Sequence, residues 1–71
     1  MSETFVFSGS SNVAACTYDE GEQTLDVSFH GGDTYRYYDV PQTTYRSFTL
    51  SPSPGRFVHS RLTNGYSYER I

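Results

Sequence analysis

Tyr35, Arg36, Tyr37 and Tyr38, running into Asp39-Val40-Pro41, are the residues of this chain whose types and spacing most resemble working chemistry. Tyrosine joins a broad apolar ring to a polar tip. Arginine stacks on such rings and pairs in a fork with phosphate or carboxylate. Three rings and a guanidinium in consecutive positions make recognition chemistry rather than a nucleophile with its base. Ser53-Pro54-Gly55-Arg56 is a second such group. Pro54 suits the first position of a helix, where backbone N–H groups lack intrahelical partners and the dipole is positive. Gly55 admits a ligand close to the backbone and Arg56 adds a cation, so the expected guest is a phosphate, of a nucleotide or of a nucleic-acid backbone. The plainer reading is a helix cap beside a solvated arginine. Ser11-Asn12, ahead of the first expected strand, either reach the same guest or close a turn.

Enzyme chemistry finds little support. Cys16 sits among small residues of an expected strand, where a thiol is ordinarily buried and inert. His30 flanks a turn, His59 falls on an expected helix, and no His/Cys spacing matches a zinc site. Asp19-Glu20-Gly21-Glu22 reads as a solvated turn and not as paired catalytic carboxylates. The expectation is therefore a non-enzymatic module with no cofactor and no metal.

Composition narrows the partners. The chain has 71 residues, one cysteine and a net charge of −3, so it is a single domain without an internal disulfide, of the kind found in a reducing, cytoplasmic setting. No run approaches the ~20 apolar residues of a membrane span. Hydrophobic residues are only 35% of the chain while seven Tyr and five Phe are present, so rings must build much of the core. All five basic residues are arginine, as high-GC codon usage of a bacterium or phage also produces. Acids dominate the first forty residues and four of the five arginines lie in the second half, which allows a locally basic face on an acidic protein.

The elements that must position these groups follow from periodicity. Residues 1–9 form an N-terminal arm or short edge strand around Phe5 and Phe7, and residues 10–71 form one domain. Residues 12–18 and 24–30 read as strands, the second with Leu25, Val27 and Phe29 alternating against Asp26, Ser28 and His30. Gly31-Gly32 supplies a hairpin turn and residues 34–40 return. Pro41, Tyr45 and Phe48 recur at helical spacing over 41–50, and a second helix starts at Ser53-Pro54, with Phe57, Val58, Arg61 and Leu62 on one face. Asn64-Gly65 ends it, and residues 66–71 make a last strand. The fold class is α+β, an antiparallel meander of three to four strands with two short helices packed on one face.

Hairpin register decides where the tyrosines point. Turn chemistry favours a two-residue Gly31-Gly32 loop, which pairs Val27 with Arg36 and Leu25 with Tyr38. Tyr35 and Tyr37 then share the polar face with Asp26, Ser28 and His30, either as a strip on which bases stack or, where a helix covers that face, as core rings with satisfied hydroxyls. A three-residue loop over residues 31–33 sends both rings to the Leu25/Val27/Phe29 face instead, because one residue of slip exchanges the faces.

Taken together, Ser11-Asn12-Val13-Ala14, Tyr18-Asp19, the Leu25/Val27/Phe29 strand, Tyr35-x-Tyr37, Val40-Pro41, Tyr45, Ser53-x-Gly55 and Phe57 resemble the KTSC domain over roughly residues 10–71. That domain is named for the C-terminus of some lysyl-tRNA synthetases and stands alone in short bacterial and phage proteins. Members often carry Asn at the position of His59 and an Ile-Arg pair at Leu62-Thr63, so any phosphate contact of that arginine falls here to Arg61. The synthetase context implies RNA as a ligand, by association. The expected binding set is Ser11, Asn12, Tyr35, Arg36, Tyr37, Tyr45, Ser53, Gly55, Arg56 and Arg61, for RNA, another single-stranded nucleic acid or a nucleotide-like phosphate. The alternative is a protein-interaction module aimed at a host protein, or an oligomer that traps a small phosphorylated signal.

Overall fold

In the computed structural model, which describes residues 2–71, five strands form one antiparallel sheet in sequence order. They are β1 (Ser2–Val6), β2 (Val13–Asp19), β3 (Thr24–Phe29), β4 (Thr34–Tyr37) and β5 (Tyr68–Arg70). The fold is α+β, with five strands rather than the expected three to four. Both ends of the chain join the sheet: β1 pairs with β2, and β5 returns after the helices to pair with β4. Helix α1 spans Gln42–Thr49, with Pro41 just outside it. Helix α2 spans Pro54–Phe57 and runs on into a π-helical turn over Val58–Leu62, where the Thr63 N–H reaches back to the Val58 carbonyl at 2.8 Å.

The two faces of the sheet differ because side chains alternate along each strand. One face carries Cys16, Tyr18, Leu25, Val27 and Tyr37, which pack against Tyr45 and Phe48 of α1 and against Phe57, Val58 and Leu62. An irregularity between Val13 and Ala15 makes Ala14 the extra residue of β2, which turns Val13 into this core opposite Phe29. Phe48 is the centre of the helical layer, its ring 4.9 Å from Phe7 and 5.2 Å from Phe57. The other face is polar and uncovered. Thr4 bonds Thr17 at 3.1 Å, Ser28 bonds Thr34 at 3.2 Å, and Arg36 forks onto Asp26 at 2.8 and 2.9 Å.

The β3–β4 register overturns the two-residue turn. Leu25 lies opposite Tyr37 and Val27 opposite Tyr35. The loop is His30-Gly31-Gly32: the Phe29 N–H donates to Asp33 at 2.9 Å, the Gly32 N–H donates to Phe29 at 3.0 Å, and Gly32 holds a φ of +105°. That is a tight turn closed by a glycine in the left-handed region, the usual three-residue hairpin. Its parity matches the three-residue alternative, but the loop begins one residue earlier. Tyr35 and Tyr37 therefore join the apolar face.

This core has a pH consequence. Burial pushes the Cys16 thiol from 9.0 up to about 12 and raises the phenols of Tyr18, Tyr37 and Tyr45 above 10.0. The unfolded chain releases these protons at lower pH than the folded one. Their contribution to stability is thus complete below pH 9 and declines as pH rises toward 12. Thermal melts followed by circular dichroism should show Tm falling by at least about 4–8 °C, roughly 1 kcal/mol, between about pH 8 and pH 11.

Candidate functional site

The ten expected binding residues do not form one cluster. Tyr37 is 1% exposed and donates to or accepts from Thr63 at 3.2 Å beneath the helical layer. Tyr45 is 6% exposed, stacked on Tyr18 at 4.5 Å with the planes 8° apart, and its hydroxyl donates to the Glu3 carboxylate at 2.9 Å. Tyr35 is half-buried, with its ring against Phe29 and Tyr68. Arg36 lies on the opposite face of the sheet, paired with Asp26. No outward stacking strip exists, because a core short of aliphatic side chains recruits these rings as filler. Tyr38, the third ring of the motif, bonds the Glu69 carboxylate instead of facing a guest.

Five of the ten do meet. The chain before β2 and the start of α2 close around a shallow concavity of about 190 Å³ lined by Ser11, Asn12, Ser53, Gly55 and Arg56, together with Ser10. Ser10 braces its loop from both sides: its hydroxyl accepts the Val13 N–H at 3.1 Å and its carbonyl lies 3.0 Å from His30 Nε2. The helix start takes no side-chain cap, so Ser53, expected to cap it, is left exposed at the rim. Gly55 eases the approach: a Cβ there would stand 3.0 Å from Asn12 Nδ2, so the amide would have to shift to make room. The pair should therefore be coupled. In a double-mutant cycle Asn12→Ala/Gly55→Ala should depart from the sum of its single changes by at least about 0.5 kcal/mol, the helix-propensity gain of alanine cancelling in the cycle.

Arg61 adjoins this concavity through a second one of about 270 Å³ lined by Ser51, Pro52, Ser53, Arg56, Ser60 and Arg61. Its guanidinium carbon lies 5.3 Å over the Phe57 ring, a cation–π contact that holds the charge at the surface. Sequence reasoning missed Ser51, Pro52 and Ser60, which the turn between the helices and the π-helical turn bring alongside Arg56 and Arg61. It also underused one signal. Between Asp39 and Glu69 there is no carboxylate side chain, while Arg46, Arg56 and Arg61 all fall there. Acids thus belong to the strands and their turns, and three of the five arginines to the helical layer.

Cys16 is fully buried and unfit as a nucleophile, since its thiol holds its proton to about pH 12. Alkylation of the native protein should run at least about 100-fold more slowly than in denaturant.

The family model of the KTSC domain matches residues 9–66. The chain belongs to the KTSC domain family. A protein from Tsukamurella paurometabola is 44% identical over 50 residues, which cover 70% of this chain and 75% of that protein. A lysine–tRNA ligase from Nostoc sp. is 31% identical over 59 residues, covering 83% of this KTSC chain but 10% of the ligase. The chain therefore corresponds to a small part of that enzyme. The crystal structure of a KTSC domain protein from Yersinia pestis superposes with a TM-score of 0.87 at 26% identity, covering 100% of this chain and 99% of that one. The match at residues 9–66 includes Ser11, Asn12, Ser53, Gly55, Arg56 and Arg61 and leaves out β1 and β5. Among the described residues no helix is long and apolar enough to cross a membrane.

Proposed function

We propose that this KTSC domain is a non-enzymatic module that binds single-stranded RNA through its phosphates, at the face formed by Ser11, Asn12, Ser53, Gly55, Arg56 and Arg61. The observation that carries this reading is the separation of charge: the two adjoining concavities are lined by two arginines and no acid, in a protein of net charge −3. Each is smaller than the ~300–1,000 Å³ of an enclosed small-molecule site, which favours a phosphate on a strand over a swallowed ligand. The likeness to part of a lysine–tRNA ligase supports RNA over DNA by association. Base stacking has no part in this mode, because the tyrosines expected to provide it are core. A reducing, cytoplasmic setting fits the single buried thiol.

The test is a fluorescence-anisotropy titration of a labelled single-stranded RNA at about 50 and about 200 mM salt. With two or three phosphates engaged, affinity should be weak, with Kd on the order of 10⁻⁴–10⁻⁶ M, and should fall with a log–log salt slope of about −0.7 per phosphate. Absence of binding at the lower salt sinks the proposal. Equal binding of a mononucleotide by calorimetry would redirect it to a nucleotide-like ligand.

A further inference from the structure

β1 is an edge strand, and all five of its residues are exposed. The Phe7 N–H donates to Ala14 at 3.0 Å. In an antiparallel ladder the bonding direction alternates, so Glu3 and Phe5 also bond toward β2, while the N–H and C=O groups of Ser2, Thr4 and Val6 point out of the sheet. Such an edge is a template for another strand unless it is short, charged or covered. The opposite edge, β5, has three residues, two of them Glu69 and Arg70. β1 carries one charge, Glu3, and exposes Phe5 by 37% and Val6 by 69%.

Alongside β1 runs a groove of about 380 Å³ between the strand and α1, lined by Glu3, Phe5, Tyr45, Arg46, Thr49 and Leu50. Leu50 is 77% exposed at its end. Among the described residues the Arg46 guanidinium is in no ion pair. Glu3 accepts the Tyr45 hydroxyl on one carboxylate oxygen and, among the described residues, keeps the other free. The groove thus offers one acid and one base.

We propose that β1 pairs antiparallel with β1 of a second copy of this chain, about a two-fold axis at Thr4, joining two five-stranded sheets into one. In that register Thr4 faces the partner's Thr4 and Ser2 faces the partner's Val6, so every outward N–H and C=O finds a mate. Glu3 faces the partner's Phe5, and both lie on the helical side. Phe5 and Arg46 line the same groove, so each Glu3 comes to the groove that holds the partner's Arg46, and the two-fold axis repeats the ion pair. The two Glu3 side chains are diagonal neighbours across the seam, roughly 7–8 Å apart, and each has the partner's Arg46 beside it to offset the repulsion. Charge complementarity thus selects a second copy as the occupant. An isologous pairing also closes, whereas β1 pairing to β5 would propagate without end.

The full chain is tested by sedimentation velocity from about 5 µM to about 500 µM, the range in which a weak isologous dimer dissociates. The expected result is a reversible monomer–dimer equilibrium. Thr4→Pro, which removes an N–H pointing away from β2, is tolerated by an edge strand and should lower the association constant about tenfold or more. Glu3→Arg and Arg46→Glu should each do the same, and the double variant should regain most of the loss. For covalent capture, Thr4 residues on the axis have Cα atoms about 5.5 Å apart, inside the disulfide range of about 4.4–6.8 Å. Oxidised Thr4→Cys should cross-link readily and Val6→Cys should not, with Cys16 buried and out of competition. Monomer at every concentration overturns the proposal, as does Thr4→Cys cross-linking no faster than Val6→Cys. Association unmoved by Thr4→Pro, or charge reversals without mutual rescue, also overturns it.

Discussion

Phe48→Ala should cost about 3–5 kcal/mol, the largest loss of any single side chain in this protein. Phe48 is fully buried and stands between Phe7 of the loop after β1 and Phe57 of α2, so its ring ties the N-terminal strand and both helices together. A domain of this length has roughly 4–10 kcal/mol in total, at about 0.05–0.15 kcal/mol per residue. The variant should therefore be largely unfolded in urea concentrations that leave the parent intact. The exposed Thr43→Ala on the same helix should stay within about 0.5 kcal/mol of the parent. Urea denaturation followed by circular dichroism measures both. A loss below about 1.5 kcal/mol for Phe48→Ala would mean that the ring cluster is not the centre of the core.

Arg56→Ala/Arg61→Ala should weaken single-stranded RNA binding by about tenfold or more at low salt. The salt slope should become shallower by about 1.4, at about 0.7 for each phosphate no longer neutralised. Arg36→Ala should leave both quantities unchanged. Its guanidinium is already forked onto Asp26 on the far side of the sheet and has no route to the concavity. The contrast matters because Arg36 sits in the most recognition-like stretch of the sequence, whereas Arg56 and Arg61 do not. Arg61→Ala also removes the cation–π interaction with Phe57, worth about 0.5–1 kcal/mol, so folding of the double variant must be checked alongside. An equal effect of Arg36→Ala would move the binding face to the open side of the sheet.

Local chemistry made much of the fold legible. The alternation of Leu25, Val27 and Phe29, the glycines at 31 and 32, and the prolines at 41 and 54 each sit where a strand, a turn or a helix start is found. What local chemistry missed was the volume of the core. Two-residue turn chemistry at Gly31-Gly32 does not register that a chain with few aliphatics needs Tyr35 and Tyr37 on the Leu25/Val27 face. The added loop residue, His30, supplies the parity that brings them there. The strand count fell short only at the N-terminal end, where periodicity does not separate a loose arm from the edge strand β1, which is held by its pairing with β2. The candidate site split in the same way. Ser53, Gly55 and Arg56 are neighbours in sequence and were readable as a unit, but Ser11 and Asn12 join them only where segments some forty positions apart meet. The missing carboxylates between Asp39 and Glu69 are the signal that a sequence alone could have supplied.

A titration of the ¹⁵N-labelled protein with single-stranded RNA, followed residue by residue in amide correlation spectra, puts the binding face to its most direct trial. Shifts gathered on residues 9–12 and 51–61, fading as salt is added, are the expected result. Shifts centred on Asp26, Arg36 and their neighbours across the open sheet, or spectra that do not move at low salt, would contradict it.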